Sequence, residues 1–237
     1  MNRILFEESE ILDGVATIGD ARAQHILGVL HGEIGQSLKT GVIDGPLGTG
    51  EIVDIDRSAL RVSIRVNHAE ESLRPWADLI LAPPRPRVMK RLLPQLASLG
   101  VGRIILVGAR KVEKDFWGAT LLKEKEYRPL FVDGLMQAGT TIMPELLIRR
   151  NFRKFVEEEL PVMFPTKNKV LAHPTKDAMC SSCLQSKERL LLAVGPEGGW
   201  TDDEVQLLQK NSFSLYSLGP RILKTETAVI SLLAKLS

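Results

Sequence analysis

Residues Leu190–Glu204 read LLLAVGPEGGWTDDE, and residues Leu215–Ala228 read LYSLGPRILKTETA. The first stretch begins as an unbroken apolar run, the pattern of a strand buried on both faces. It passes directly into Gly195-Pro196-Glu197-Gly198-Gly199, after which Thr201 and Glu204 have the spacing of a capping box at a helix start. A tight strand-to-helix turn needs one glycine. The three here let backbone N–H and C=O groups approach a ligand with no Cβ in the way. The loop matches neither G-x-G-x-x-G nor a P-loop, because no Lys-Ser/Thr follows and Glu197 stands where a phosphate would lie. It reads as a cradle for a neutral or cationic ligand. In the second stretch a strand is expected to end at Gly219-Pro220, with a final helix over Ala228–Leu236. Thr225 is the expected cap and Glu226 complements the helix dipole. Neither explains Arg221 and Lys224 beside a glycine turn, where two cations suit RNA phosphates or a uracil oxygen.

Upstream, Ala77–Ala82 and Arg103–Val107 are further continuous apolar runs, and Lys169–Ala172 is another expected strand. Between the first two, Arg87–Leu99 is amphipathic and stops at Gly100, with Pro94 predicting a kink or a late start. Glu124–Ala138 and Phe152–Leu160 are the other helix candidates. Strands alternating with helices predict an α/β domain with a mainly parallel sheet, in which ligands bind beyond the carboxyl ends of the strands. Earlier in the chain the period changes. Glu51–Asp56 and Ala59–Val66 alternate apolar and polar residues, Asp44–Gly48 is a cluster of turn formers, and one short helix is expected at about Ala21–Leu30. This predicts a small β-barrel. Asn67–Pro75 is polar and ends in proline, and the domain boundary is placed there, giving domains of 1–72 and 73–237.

Charge changes sign at the same place. Residues 1–74 hold 7 Lys/Arg against 12 Asp/Glu, a net of −5, whereas 75–237 hold 24 against 17, a net of +7. The second part is therefore the better surface for a polyanion, though by itself the excess is a weak pointer to nucleic acid. At 237 residues, 44% hydrophobic and 25% charged, the composition is that of a globular protein. With no apolar run of bilayer length and no leader pattern at Met1, a soluble cytoplasmic protein is expected. Cys180 and Cys183, with His173 nearby, do not make a four-ligand zinc site, so the cysteines are read as reduced thiols and no metal is expected.

GPEGG with an acidic helix start, followed by LGPRILKTETA, closely resembles the RsmE family, the small-subunit (16S) ribosomal RNA uridine-N3 methyltransferases of the SPOUT superfamily. The resemblance extends over the chain. His25–Leu30 looks like part of the family's PUA-like barrel, while Leu99-Gly100-Val101, Gln137 and Met143-Pro144-Glu145 look like its middle motifs. It implies an N-terminal PUA-like β-barrel RNA-binding domain, a C-terminal SPOUT domain closed by a trefoil knot, and a homodimer with each active site near the subunit interface. A knot is a rare exception to the topological rules, and no residue pattern predicts it.

The resemblance also implies S-adenosyl-L-methionine (SAM) as cofactor. Its pocket would be made by Leu171 and His173, by Val194, Gly195, Glu197, Gly198 and Gly199, and by Leu218, Gly219, Ile222 and Leu223. The reaction would be transfer of a methyl group to uracil N3, a nitrogen that is a poor nucleophile until its proton is lost. Arg221 and Lys224 are the candidates to hold the anionic uracil or its phosphate, with Arg221 ranked first, and Glu197 or Glu226 the candidates to accept the proton. The chain departs from the family's pattern at Gly28 and His31, at Ser98 and at Thr140. The alternatives are a SPOUT enzyme acting elsewhere on RNA, such as a ribose 2′-OH, and a SAM- or RNA-binding paralogue without catalysis.

Overall fold

The computed structural model describes residues 2–174 and 188–237, so Cys180 and Cys183 lie outside the described residues. The chain clusters into two compact units, Met1–Arg74 with Val132–Met143, and Pro75–Phe131 with Pro144–Ser237.

The first unit contains β1 (Ile4–Phe6), β2 (Ile11–Leu12), β3 (Val15–Ile18), α1 (Ala21–Gly28), β4 (Ser37–Val42), β5 (Leu47–Asp56) and β6 (Arg61–Glu70). They form one sheet in the order β1-β4-β5-β6-β3-β2, antiparallel except for the β1–β4 pair. The alternation seen in the sequence places Ile52, Val62 and Ile64 inward, where they pack with Phe6, Ile18 and Ile26. Two expectations shift. The turn closes earlier than Asp44–Gly48, because the Gly45 amide donates to Val42 O at 2.9 Å and Leu47 already pairs with Gly41. Asn67–Glu70, expected as linker, is strand instead, because Leu47–Thr49 of β5 supply its backbone partners while most of its side chains face water.

The second unit contains β7 (Ala77–Leu81), α2 (Pro86–Ser98), β8 (Val101–Val107) and α3 (Glu124–Ala138), the residues of α3 from Val132 on clustering with the first unit. There follow β9 (Glu145–Arg149), α4 (Phe152–Lys154), α5 (Leu160–Met163), β10 (Lys169–Ala172), β11 (Leu190–Val194), α6 (Asp202–Lys210), β12 (Ser214–Tyr216) and α7 (Thr225–Leu236). The sheet order is β12-β10-β11-β7-β8-β9 and every pairing is parallel. All carboxyl ends therefore lie along one edge, as the buried apolar runs predicted.

At the opposite edge the central strand carries Asp78, 2% exposed. Its carboxylate accepts from Arg103 Nη2 at 2.9 Å and from Arg189 Nη2 at 2.5 Å, tying the amino ends of β7, β8 and β11 together. The unit's core includes Ile80, Ile105, Leu171, Leu191 and Leu208, all fully buried.

Helix α2 holds Pro94 without starting late, opening with Pro86 at its first turn. The expected single helix over Phe152–Leu160 is instead α4, a π-helical turn over Phe155–Glu159, and α5. Pro161 explains the slip in register: it has no N–H to give to Glu157, and its ring crowds that carbonyl. Two details of the C-terminal reading are also corrected. Strand β12 ends at Tyr216, because the Ser217 hydroxyl takes the Gly219 amide at 3.2 Å and draws the backbone out of the ladder. The last helix begins at Thr225 with Lys224 in the cap position, so Thr225 is a buried first-turn residue, 4% exposed, and not the cap.

Candidate functional site

Beyond the carboxyl ends of β10, β11 and β12, a cavity of about 240 Å3 opens between the glycine loop, the Ser217–Leu223 loop and the first turns of α7. The glycine loop is a β-turn, the Gly199 amide donating to Pro196 O at 2.8 Å with Glu197 and Gly198 at its centre. Gly199 at φ 68° and Gly219 at φ 109° adopt backbone that side chains disfavour, and among the described residues beyond their chain neighbours nothing lies within 4 Å of where a Cβ would stand on either. The predicted capping box is present. Thr201 accepts from the Glu204 amide, and Glu204 Oε2 accepts from the Thr201 amide at 2.8 Å. The other carboxylate oxygen of Glu204 accepts from the Arg110 amide at 2.7 Å, fixing the loop after β8 to the same helix start. Lys111 Nζ donates to Gly198 O at 2.7 Å and steadies the turn from outside.

Of the site residues expected from sequence, His173, Val194, Gly195, Glu197, Gly198, Gly199, Leu218, Gly219, Arg221, Ile222 and Leu223 line this cavity. Three stand elsewhere. Leu171 is fully buried in the core, because along β10 it is Ala172, one residue on, that faces the cavity. Lys224 is exposed and Glu226 half-buried, both outside the lining. Ile222 reaches the cavity with 87% of its surface exposed.

Sequence reasoning passed over Trp200 and Tyr216. Trp200 is 4% exposed and stacks on Phe152 at 5.4 Å, and its Nε1 is buried with no hydrogen-bond partner among the described residues. His173 Nδ1 is in the same condition, while its backbone amide donates to Tyr216 O at 3.1 Å. Buried polar atoms are rarely left unpaired, so two at one cavity mark a place built for a polar ligand. A tryptophan directly after the glycine loop was the available signal, since a buried indole N–H wants an acceptor. Among the described residues the walls otherwise offer backbone groups, apolar side chains and a few hydroxyls, with two charged side chains, Glu197 on the glycine turn and Arg221 at the exposed rim.

Among the described residues no group of three or more His, Cys, Asp and Glu is placed to hold a metal ion, and no helix is long and apolar enough to cross a membrane.

Residues 71–237 match the model of the RNA methyltransferase domain family. Ribosomal RNA small subunit methyltransferase E of Treponema pallidum is 30% identical over 233 residues, covering 96% of this chain and 87% of that protein. The protein named ribosomal RNA small subunit methyltransferase E 1 of Borreliella burgdorferi is 26% identical, covering 98% and 95%. Among solved structures, a Legionella pneumophila protein in complex with bound SAM superposes with a TM-score of 0.75 at 25% identity, covering 99% of this chain and 96% of that one. The SAM-bound ribosomal RNA small subunit methyltransferase E of Neisseria gonorrhoeae shares the fold with a TM-score of 0.75 at 22% identity, covering 99% and 95%. Matched along most of its length in both sequence and fold, the chain belongs to the RNA methyltransferase family, among the ribosomal RNA small subunit methyltransferases E.

Proposed function

We propose that the protein is a SAM-dependent methyltransferase that modifies N3 of a uridine in small-subunit ribosomal RNA. The observation that carries the reading is the cavity itself: two glycine turns at the carboxyl ends of parallel strands, lined largely by backbone and apolar side chains, with two ring nitrogens that have no partner among the described residues. These residues fit SAM. Val194, Gly195, Gly198, Gly199, Leu218 and Gly219 would present amides, carbonyls and apolar surface to it. His173 and Trp200 would offer ring nitrogens to its polar groups. Gly199 and Gly219 leave open the space a Cβ would take. When bound, SAM supplies an electrophilic methyl group on a sulfonium, and a cation suits a loop with the Glu197 carboxylate at its centre.

The chain's own residues then have to position the uracil and manage its N3 proton. Arg221, the guanidinium in the lining, holds a uracil oxygen and stabilises the negative charge left as the proton departs. Glu197 lines the cavity whereas Glu226 does not, which favours Glu197 as the proton acceptor. Lys224, exposed at the cap of α7, suits a phosphate beside the target. Enclosing the reactants supplies part of the rate by orientation alone.

The same reading carries a trefoil knot, a PUA-like barrel and a homodimer. The knot is supported by β12 pairing with β10 on its side away from β11, so that the chain leaves β11, crosses past β10 and returns in α7. The barrel is supported by Arg22, which donates to Leu5 O of edge strand β1 and to Glu10 at the start of edge strand β2. Exposed Ile222 and Leu223 are apolar surface that a second copy would cover. Mass spectrometry of small-subunit ribosomal RNA from a deletion strain tests the function. N3-methyluridine is expected to disappear and to return with the gene, and an unchanged level would remove the proposed acceptor.

A further inference from the structure

Next to the cofactor cavity, along the same edge of the sheet, lies a second cleft of about 540 Å3 that the reaction as described leaves unused. Its walls come from the loops after β8 and β9 and the first turn of α6, and include Arg110, Arg150, Arg153, Thr201, Asp203 and Glu204. The loop segments are rich in cations. Residues 109–118 carry Arg110, Lys111 and Lys114 against Glu113 and Asp115, and residues 149–154 carry Arg149, Arg150, Arg153 and Lys154 with no acid.

Arg150 and Arg153 are held by interactions that leave their charge to the cleft, and Arg110 is fixed through its backbone amide. A Cβ at Gly108 would stand 2.0 Å from Arg150 O, so only glycine lets the two loops come together and face Arg110 and Arg150 across one space. Arg150 donates to Trp117 O at 3.1 Å with its guanidinium 5.6 Å from that ring. Arg153 pairs with Glu157, both exposed, an interaction that water screens. Of the two acids in the walls, Glu204 is occupied by the Thr201 and Arg110 amides. Both acids still repel an anion, Asp203 with its oxygens uncommitted to the helix start, and three arginines outweigh the two. Planar guanidinium forks are suited to phosphate oxygens, and a strand of RNA presents those at regular intervals.

We propose that this arginine cleft binds a phosphodiester of the substrate RNA beside the nucleotide being methylated. The placement follows from the fold. Parallel strands lie about 4.8 Å apart, so the ends of β8 and β9 are two to three strands from the end of β11, on the same edge. Lys111 spans from the cleft's own loop to the Gly198 carbonyl of the cofactor turn. The proposal rests on the methyltransferase reading for its ligand, RNA.

The experiment measures binding of the full chain to a small-subunit ribosomal RNA transcript by fluorescence anisotropy across a salt series, with SAM binding measured separately by calorimetry. Arg110→Ala with Arg150→Ala is expected to weaken RNA binding about tenfold or more. It should also make the slope of log K against log salt shallower by about 0.7–0.9 for each phosphate that is no longer neutralised, with SAM affinity unchanged. Asp203→Asn is expected to tighten RNA binding, a change of sign that a merely structural role would not produce. Unchanged RNA affinity and salt slope in the double variant overturn the proposal, as does RNA binding that falls only in step with SAM binding while Asp203→Asn leaves RNA affinity unchanged. Because RNA binding needs no turnover, a wild-type protein that methylates nothing but loses RNA with the arginines would sink the enzymatic reading and leave the cleft standing.

Discussion

Arg221 and Lys224 are three residues apart, and the fold separates them: one lines the cavity, the other stands outside it at the cap of α7. In the proposed reaction only a group in the lining can meet charge developing on a uracil oxygen, and removing one such donor from an enzyme costs about a hundredfold or more in turnover. Arg221→Ala is therefore expected to lower kcat about a hundredfold while SAM affinity, measured by calorimetry, stays within a few-fold. Arg221→Lys, which keeps the charge but loses the fork, should recover part of the rate. Wild-type turnover in the alanine variant would end the assignment. The sequence showed both cations but not the turn that sorts them, because Ser217 and Gly219 form a local hydrogen bond that ends β12 early. The exchange of Leu171 for Ala172 has a similar cause. In a strand buried on both faces, apolar residues mark no phase, so the side facing the cavity is not written in the residue types.

At the level of elements, what the sequence disclosed was what a periodic signal can carry. Strands β10 and β11 and helix α3 begin and end where the apolar runs and helix pattern predicted. The capping box at Thr201 and Glu204 was legible because it joins residues three apart. Asp78 was not. It sits inside ADLILA, a run read as wholly apolar, and its partners Arg103 and Arg189 are 25 and 111 residues away. Register between distant strands decides whether a buried carboxylate is a defect or a clamp, and no local pattern gives register. Its removal is a direct measure of that clamp. Asp78→Asn leaves two guanidiniums against a neutral amide, one of them stacked 4.1 Å from the Phe164 ring centroid. Removing one partner of a buried pair costs about 3–5 kcal/mol, and since Arg103 and Arg189 are 29% and 38% exposed, about 2–4 kcal/mol is expected. Urea unfolding of the full chain should show the midpoint falling with the slope retained. A loss below about 0.5 kcal/mol would mean the three strand ends are held by packing alone.

The molecule as a whole is divided, and the division gives the first unit an acid sensitivity of its own. His68 on β6 is half-buried, its Nε2 2.9 Å from the Thr40 hydroxyl, with Arg3 reaching the carbonyls of Thr40 and Gly48 beside it. Burial first, and then the Arg3 charge, hold its pKa below the ordinary 6.5. The folded unit therefore resists a proton that the unfolded chain accepts. Above 6.5 neither state is protonated and the full stability is present. As the pH falls from 6.5 toward the depressed folded value, the unfolded state binds more protons and stability is lost. Glu10 and Asp20 continue the trend at lower pH. Hydrogen bonds from Arg22 depress both below their ordinary values of 4.5 and 3.8, so their contribution drains away as acid protonates them. Hydrogen exchange on the intact chain separates the units. Amides of β4–β6 should lose protection between pH 6.5 and 5, after correction for intrinsic exchange, and His68→Gln should flatten that loss by removing the titrating ring. A wild-type profile level across this window, or a His68→Gln profile that falls as steeply, would show that the imidazole is indifferent to folding. The first unit's pH response would then begin only with its carboxylates, Glu10 and Asp20.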